Sequence, residues 1–245
     1  MGKIIAIGGG SMEERETLAI DREVVSLAEK RQPRALFIPT ASYDNPERYE
    51  IFRSVYGVEL GCTTDVLYLL GVEPSNEELE EKILSSDLIY VSGGNTLKLM
   101  RRWRRLGVDK ILETAHGTGI ILAGLSAGAI CWFSYGHSDS MSFYGREEWS
   151  YVRVKGMGLI DALGVSHYHA EGREADFHRM VKKYPEVGIA IDNNCALEII
   201  DGRFRLIRSR PGAYAYTVSK KRGRINVRRI EESEEYTPMA SILGG

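Results

Sequence analysis

The sequence predicts a doubly wound α/β fold: a mostly parallel sheet flanked by helices, with an antiparallel C-terminal edge. Three observations predict it. Short β-branched apolar runs alternate with segments whose apolar residues fall at helical spacing. Strand is followed by helix, repeatedly and with short connections, which argues for crossovers and hence parallel strands, since antiparallel hairpins would need only tight turns. Three of the apolar runs also break at glycines, at Gly8–Gly10, Gly93–Gly94 and Gly124–Gly128. In such sheets ligands sit beyond the carboxyl ends of the strands, so one cleft can collect all three breaks.

Taken in order, Lys3–Ile7 reads as a first central strand stopped by Gly8-Gly9-Gly10. Apolar residues at positions 20, 24, 25, 27 and 28 give a helix that Pro33 closes. Ala35–Ile38 is a second strand, residues 47 to 55 a helix stopped near Gly57, and residues 64 to 70 a third strand. A short helix over 77–85 leads to a fourth strand, Leu88–Val91, which runs into Ser92-Gly93-Gly94-Asn95-Thr96. Two helices, over 97–106 and 108–116, precede a buried strand that ends at Gly124-Leu125-Ser126-Ala127-Gly128. Residues 134–151, rich in Ser, Gly and aromatics, read as a long irregular loop, a length that points to function. An apolar run then delivers Ser166-His167-Tyr168-His169, a helix follows over 173–183, and Val187–Ile191 is a strand ending at Asp192-Asn193-Asn194. Alternating residues over 204–209 and 213–218, around Asp201-Gly202 and Pro211-Gly212, supply the antiparallel edge. The chain reads as a single α/β domain over 1–245, with residues 220–245 a solvated peripheral tail.

The composition narrows the partners. A net charge of −2, with acids and bases interspersed, produces no field to hold nucleic acid or an anionic membrane. No apolar stretch has the length of a membrane span. Cys62, Cys131 and Cys195 are odd in number and widely spaced, which suits free thiols in a reducing compartment, the cytoplasm. Gly8-Gly9-Gly10 lacks the spacing of a dinucleotide fingerprint and has no phosphate-binding lysine, so it reads as close backbone packing beside the cleft.

The Gly-x-Ser-x-Gly pattern at 124–128 reads as a nucleophile elbow, in which a sharp strand-to-helix turn exposes the serine oxygen. A serine hydroxyl needs a base within hydrogen-bond reach, and the base needs a partner to fix its tautomer. Among five histidines, His116 sits at a helix end, His178 on a charged helix and His137 in the loop. His167 and His169 alone end a buried-looking run, and His167 is the first choice of base. A His-x-His pair also suits a metal, but no third ligand stands at a recognisable spacing.

The ordered set of Gly8–Gly10, Pro39–Ser42, Val91–Thr96, Gly124–Ala129 followed by Ser138–Ser140, His167-Tyr168, Gly188–Asp192 and Ala196-Leu197 resembles the peptidase E (α-aspartyl dipeptidase) and cyanophycinase family of serine peptidases. The resemblance runs from Ile4 to about Val218. It implies a class I glutamine-amidotransferase-like fold, no metal or cofactor, and cleavage of short peptides by a Ser-His-acid arrangement. By position, Ser126 matches the nucleophile and His167 the base; Gly94 and Ala127 match the oxyanion donors, and Asn95 a residue lining the substrate site. The acid is Asp192 first, with Asp139 as the other assignment; if the position of Asn193 is the working one, an amide orients the histidine. Aspartyl dipeptidases use an arginine after the histidine segment for the substrate carboxylate. Asp176 aligns there, flanked by Arg173 and Arg179, so a preference for aspartate does not follow. An esterase or amidase with the same triad, and a peptide-binding protein on the same scaffold, are the competing readings. A homodimer stays open as the assembly.

Overall fold

A computed structural model describes residues 2–145 and 148–244. Strands β1 (Lys3–Ile7), β2 (Arg34–Ile38), β3 (Thr63–Val66), β4 (Leu88–Val91) and β5 (Ile121–Leu125) lie parallel in the order β1-β5-β4-β2-β3. Helices α1 (Leu18–Ser26), α2 (Pro46–Phe52), α3 (Asn76–Leu84), α4 (Thr96–Leu106) and α5 (Val108–Gly117) make the crossovers. Beyond Lys3 and Arg34, strands β1, β2, β4 and β5 are apolar because both faces are covered, whereas the edge strand β3 carries Thr63, Thr64 and Asp65 and is not buried. On β1, Ile5 and Ile7 pack with Ile20 and Val24 of α1 and with Phe52 of α2. Ile4 and Ala6, pointing the other way, join Ile83 of α3, Trp103 of α4 and Leu112 of α5. Each such side chain removed from water stabilises the fold by about 1.5–3 kcal/mol.

After β5 the short helix α6 (Ala127–Ile130) leads into a second sheet that the sequence reading does not foresee. It holds β6 (Phe133–Ser138), β7 (Val152–Lys155), β8 (Ile160–Ser166) and β9 (Gly188–Ile191), with α7 (Arg173–Lys183) packed on it through Phe177 and Val181. The chain then returns to the first sheet. β10 (Cys195–Ile200) pairs antiparallel with β1, and β11 (Arg203–Arg208) with β10. β12 (Ala215–Lys221) and β13 (Arg224–Arg229) extend the second sheet, and β14 (Thr237–Pro238) caps the first before α8 (Ala240–Leu243).

Three expectations change. Residues 134–138 are strand rather than loop, with Gly136, His137 and Ser138 buried between β7 and β8; residues 146 and 147 of the expected loop lie outside the described residues. The third strand stops at Val66 because the N–H groups of Leu69 and Leu70 turn to the Asp44 carboxylate, at 2.6 and 2.5 Å. Residues 220–245 are more than a tail: β13 and β14 add to both sheets, and Ile230, Met239 and Ile242 are buried. The charged runs there disguise strands whose outer face is solvated.

Candidate active site

Ser126 stands between β5 and α6 with φ 55° and ψ −111°, a backbone state that costs a non-glycine residue on the order of 1–3 kcal/mol. Its flanking glycines allow the turn. A Cβ on Gly124 would fall 2.2 Å from the Gly128 carbonyl oxygen, and one on Gly128 would fall 2.2 Å from that of Val91. The Ser126 N–H donates to the Ile7 carbonyl at 3.0 Å, which ties the turn to β1.

His167 follows β8 and also has positive φ, 51°. Its N–H donates to the Gly8 carbonyl at 3.0 Å, and its Nε2 lies 2.9 Å from Ser126 Oγ. On the far side Nδ1 lies 2.5 Å from Asn193 Oδ1. A carbonyl oxygen only accepts, so Nδ1 carries the proton and Nε2 is left with a lone pair for the serine hydroxyl. Gly9 makes the approach possible, since a Cβ there would stand 2.1 Å from Asn193 Oδ1 and 2.4 Å from the imidazole. Burial is the main cause holding His167 below the ordinary histidine pKa; the hydrogen bond to Asn193 works against it, and the Arg173 charge adds to it.

The carboxylates expected beside His167 are engaged elsewhere. Asp192 points away: its Oδ1 takes a hydrogen bond of 2.6 Å from His169 Nδ1, and its Oδ2 one of 3.1 Å from the Tyr214 N–H. Asp139 accepts from Arg173 at 2.5 Å. Asp176 bonds His137 at 2.9 Å and Arg179 at 2.7 Å. Neighbours along a turn project to different sides, so the alternative, Asn193, and not the first choice, Asp192, faces His167. Asn95 is likewise corrected: it is fully buried as the N-cap of α4, accepting from the Lys98 N–H at 3.0 Å, and does not line the cleft.

Gly93 runs against the turn, where a Cβ would come within 3.2 Å of Ser126 Cβ. The N–H groups of Gly94 and Ala127 have no hydrogen-bond partner among the described residues, which leaves two donors beside the serine. The cleft here measures about 280 Å³ and is lined by Phe37, Ile51, Tyr90 and Leu125, with Glu13 and Arg48 among its polar residues. Sequence reasoning missed both, since each resembles an ordinary solvated charge. A larger hollow of about 680 Å³, between β3 and α3, contains neither serine nor histidine from this pair. Among the described residues no group of three or more His, Cys, Asp or Glu is placed to hold a metal ion, and no helix is long and apolar enough to cross a membrane.

A neutral imidazole held by its far nitrogen against a serine on a strained turn is the means by which serine hydrolases make a hydroxyl attack a carbonyl. The chain belongs to peptidase family S51, whose model matches residues 4–207, and it is a serine-type peptidase of the peptidase E-like kind. It is 35% identical over 222 residues to the uncharacterized peptidase YgaJ of Bacillus subtilis strain 168, covering 89% of this chain and 92% of that one. The fold matches the crystal structure of a peptidase from an acI-B1 actinobacterium with a TM-score of 0.71 at 19% identity, over 97% of both chains. It also matches a Listeria monocytogenes EGD-e protein named as a candidate peptidase E, with a TM-score of 0.65 at 22% identity, over 85% of this chain and 98% of that one.

Proposed function

We propose that the protein hydrolyses dipeptides or other short peptides in the cytoplasm, with Ser126 as nucleophile on a nucleophile elbow and His167 as general base. The observation that carries this reading is the 2.9 Å contact between Ser126 Oγ and His167 Nε2. In the first step Nε2 accepts the hydroxyl proton as Oγ attacks the peptide carbonyl, and the oxyanion meets the N–H groups of Gly94 and Ala127. His167 then returns the proton to the leaving amine, and water hydrolyses the acyl-enzyme by the same relay. Asn193 holds the tautomer in place of an acid. It supplies orientation without the charge that a carboxylate would place beside the imidazolium. A cleft of about 280 Å³ lies at the small end of ligand sites, which favours short substrates.

The scheme calls on no metal or nucleotide. Both His167 nitrogens are occupied by Ser126 and Asn193, and His169 Nδ1 by Asp192, so the His-x-His pair has few free lone pairs. Labelling of Ser126 by a fluorophosphonate, followed by assay of dipeptides against simple esters, tests the reading. An unlabelled Ser126 would favour a binding protein, and turnover of esters alone an esterase. Activity is expected to persist after chelation; loss restored by zinc would overturn the metal-free scheme.

A further inference from the structure

Only two formally charged side chains among the described residues line the Ser126 cleft, Glu13 and Arg48. Most charges on the neighbouring segments have partners, whereas Glu13 in the same cleft and Glu47 beside Arg48 enter no ion pair among the described residues. On the same stretch Arg53 pairs with Glu50 at 2.6 Å, while Arg15 of the loop carrying Glu13 pairs with Glu59 at 3.0 Å and bonds Ser54 at 3.1 Å. Glu16 pairs with Arg210 at 2.8 Å. The Arg48 side chain enters no ion pair and donates no hydrogen bond among the described residues; its backbone N–H donates to the Asn45 carbonyl at 3.2 Å. Helix stability does not explain it either, because a cation in the first turn of α2 opposes the helix dipole.

We propose that Arg48 is a specificity residue of this cleft and receives a carboxylate of the substrate. The inference rests on the reading of Ser126 as nucleophile for the substrate's identity as a peptide, and on Arg48's own surroundings for the carboxylate. Phe37, Ile51, Tyr90 and Leu125 give the cleft an apolar lining, and a guanidinium beside such a wall gains more from a carboxylate than one in open water. Two carboxylates fit this chemistry: the C-terminus of a short peptide, or the side chain of an acidic residue.

Calorimetric binding to the Ser126→Ala protein separates them without turnover. The probes are Ala-Ala, Ala-Ala-amide, Asp-Ala-amide and Asn-Ala-amide. If Arg48 takes the C-terminus, Ala-Ala binds roughly ten- to hundred-fold tighter than its amide; if it takes the side chain, Asp-Ala-amide gains that advantage over Asn-Ala-amide. In the Ser126→Ala, Arg48→Gln double variant the advantage disappears while the neutral probes bind as before, and the exposed position leaves the melting temperature unchanged. If neither carboxylate peptide exceeds its neutral counterpart, or the advantage survives Arg48→Gln, the proposal falls. Fluorophosphonate labelling of the unmutated protein keeps the two readings apart. An unlabelled Ser126 combined with an Arg48-dependent carboxylate preference would remove the peptidase chemistry and leave the carboxylate site standing.

Discussion

At the scale of single residues, Ser126→Ala removes one oxygen from a turn whose shape is set by its neighbours, so the fold is expected to persist. Hydrolysis should fall by about 10⁴- to 10⁶-fold; a variant retaining a tenth of the activity would take Ser126 out of the mechanism. Only neutral His167 can accept the serine proton, and burial lowers its pKa. The acid limb of kcat/KM should therefore have its midpoint below the ordinary 6.5 of histidine; a midpoint above 7 would contradict the burial argument, and loss of activity in His169→Ala but not His167→Ala would reassign the base. Asn193→Asp places a carboxylate where the amide oxygen sits. It favours the imidazolium, so the acid limb should move to higher pH and kcat should rise at pH 8, whereas Asn193→Leu should lower kcat with the limb little changed. The serine and histidine were legible because small residues around a serine, and the scarcity of histidines at strand ends, are patterns along the chain. The partner of His167 was not, because adjacent Asp192 and Asn193 differ only in the side to which the turn directs them.

Elements show where a local pattern misleads. From the sequence, a side chain at Gly94 is expected to crowd the oxyanion site and lower kcat with little change in melting temperature. The structure gives a different outcome: a Cβ there would stand 2.2 Å from the Ala41 carbonyl oxygen, and φ is 134°. Gly94→Val should thus lower the melting temperature by many degrees and with it the yield of folded protein, which thermal unfolding followed by circular dichroism would check; an unshifted transition would restore the first expectation. The parallel strands β1, β2, β4 and β5 were readable because burial on both faces leaves uninterrupted apolar runs. β6 was hidden, since Gly136, His137 and Ser138 are buried by pairing and by specific contacts rather than by hydrophobicity, as with His137 on Asp176.

Across the whole molecule, two buried groups oppose each other in pH dependence. Asp21, held by Thr17 and Tyr56, has its pKa raised to about 6 by burial, from 3.8. Its favourable contribution is complete below 3.8 and is lost as pH rises through 6, leaving a cost of about 3 kcal/mol at pH 7. His137, lowered by burial from 6.5 to about 4, contributes stability above 6.5 that is lost as pH falls through 4. Asp21→Asn should accordingly raise the melting temperature at pH 7, lose that advantage by pH 4, and unmask a steeper decline below pH 6.5; equal melting curves at pH 7 would refute the cost assigned to Asp21. The parallel half of the fold was legible as strand and helix in turn, but the second sheet was not. β6 with β8, β8 with β9 and β9 with β12 are joined across long stretches of chain whose pairing no local pattern records, and the tight β12–β13 hairpin is masked by its charged residues.

The pairing of β1 with β10 has a consequence for synthesis. β1, which leaves the ribosome well before its partners, has β5 on one side and residues 195–200 on the other. One of its edges must therefore stay bare until most of the chain has emerged, and the edges of β11 and β12 await β14 and β13 for longer still. Nascent chains arrested before Cys195 should present an open strand edge to chaperones and to one another.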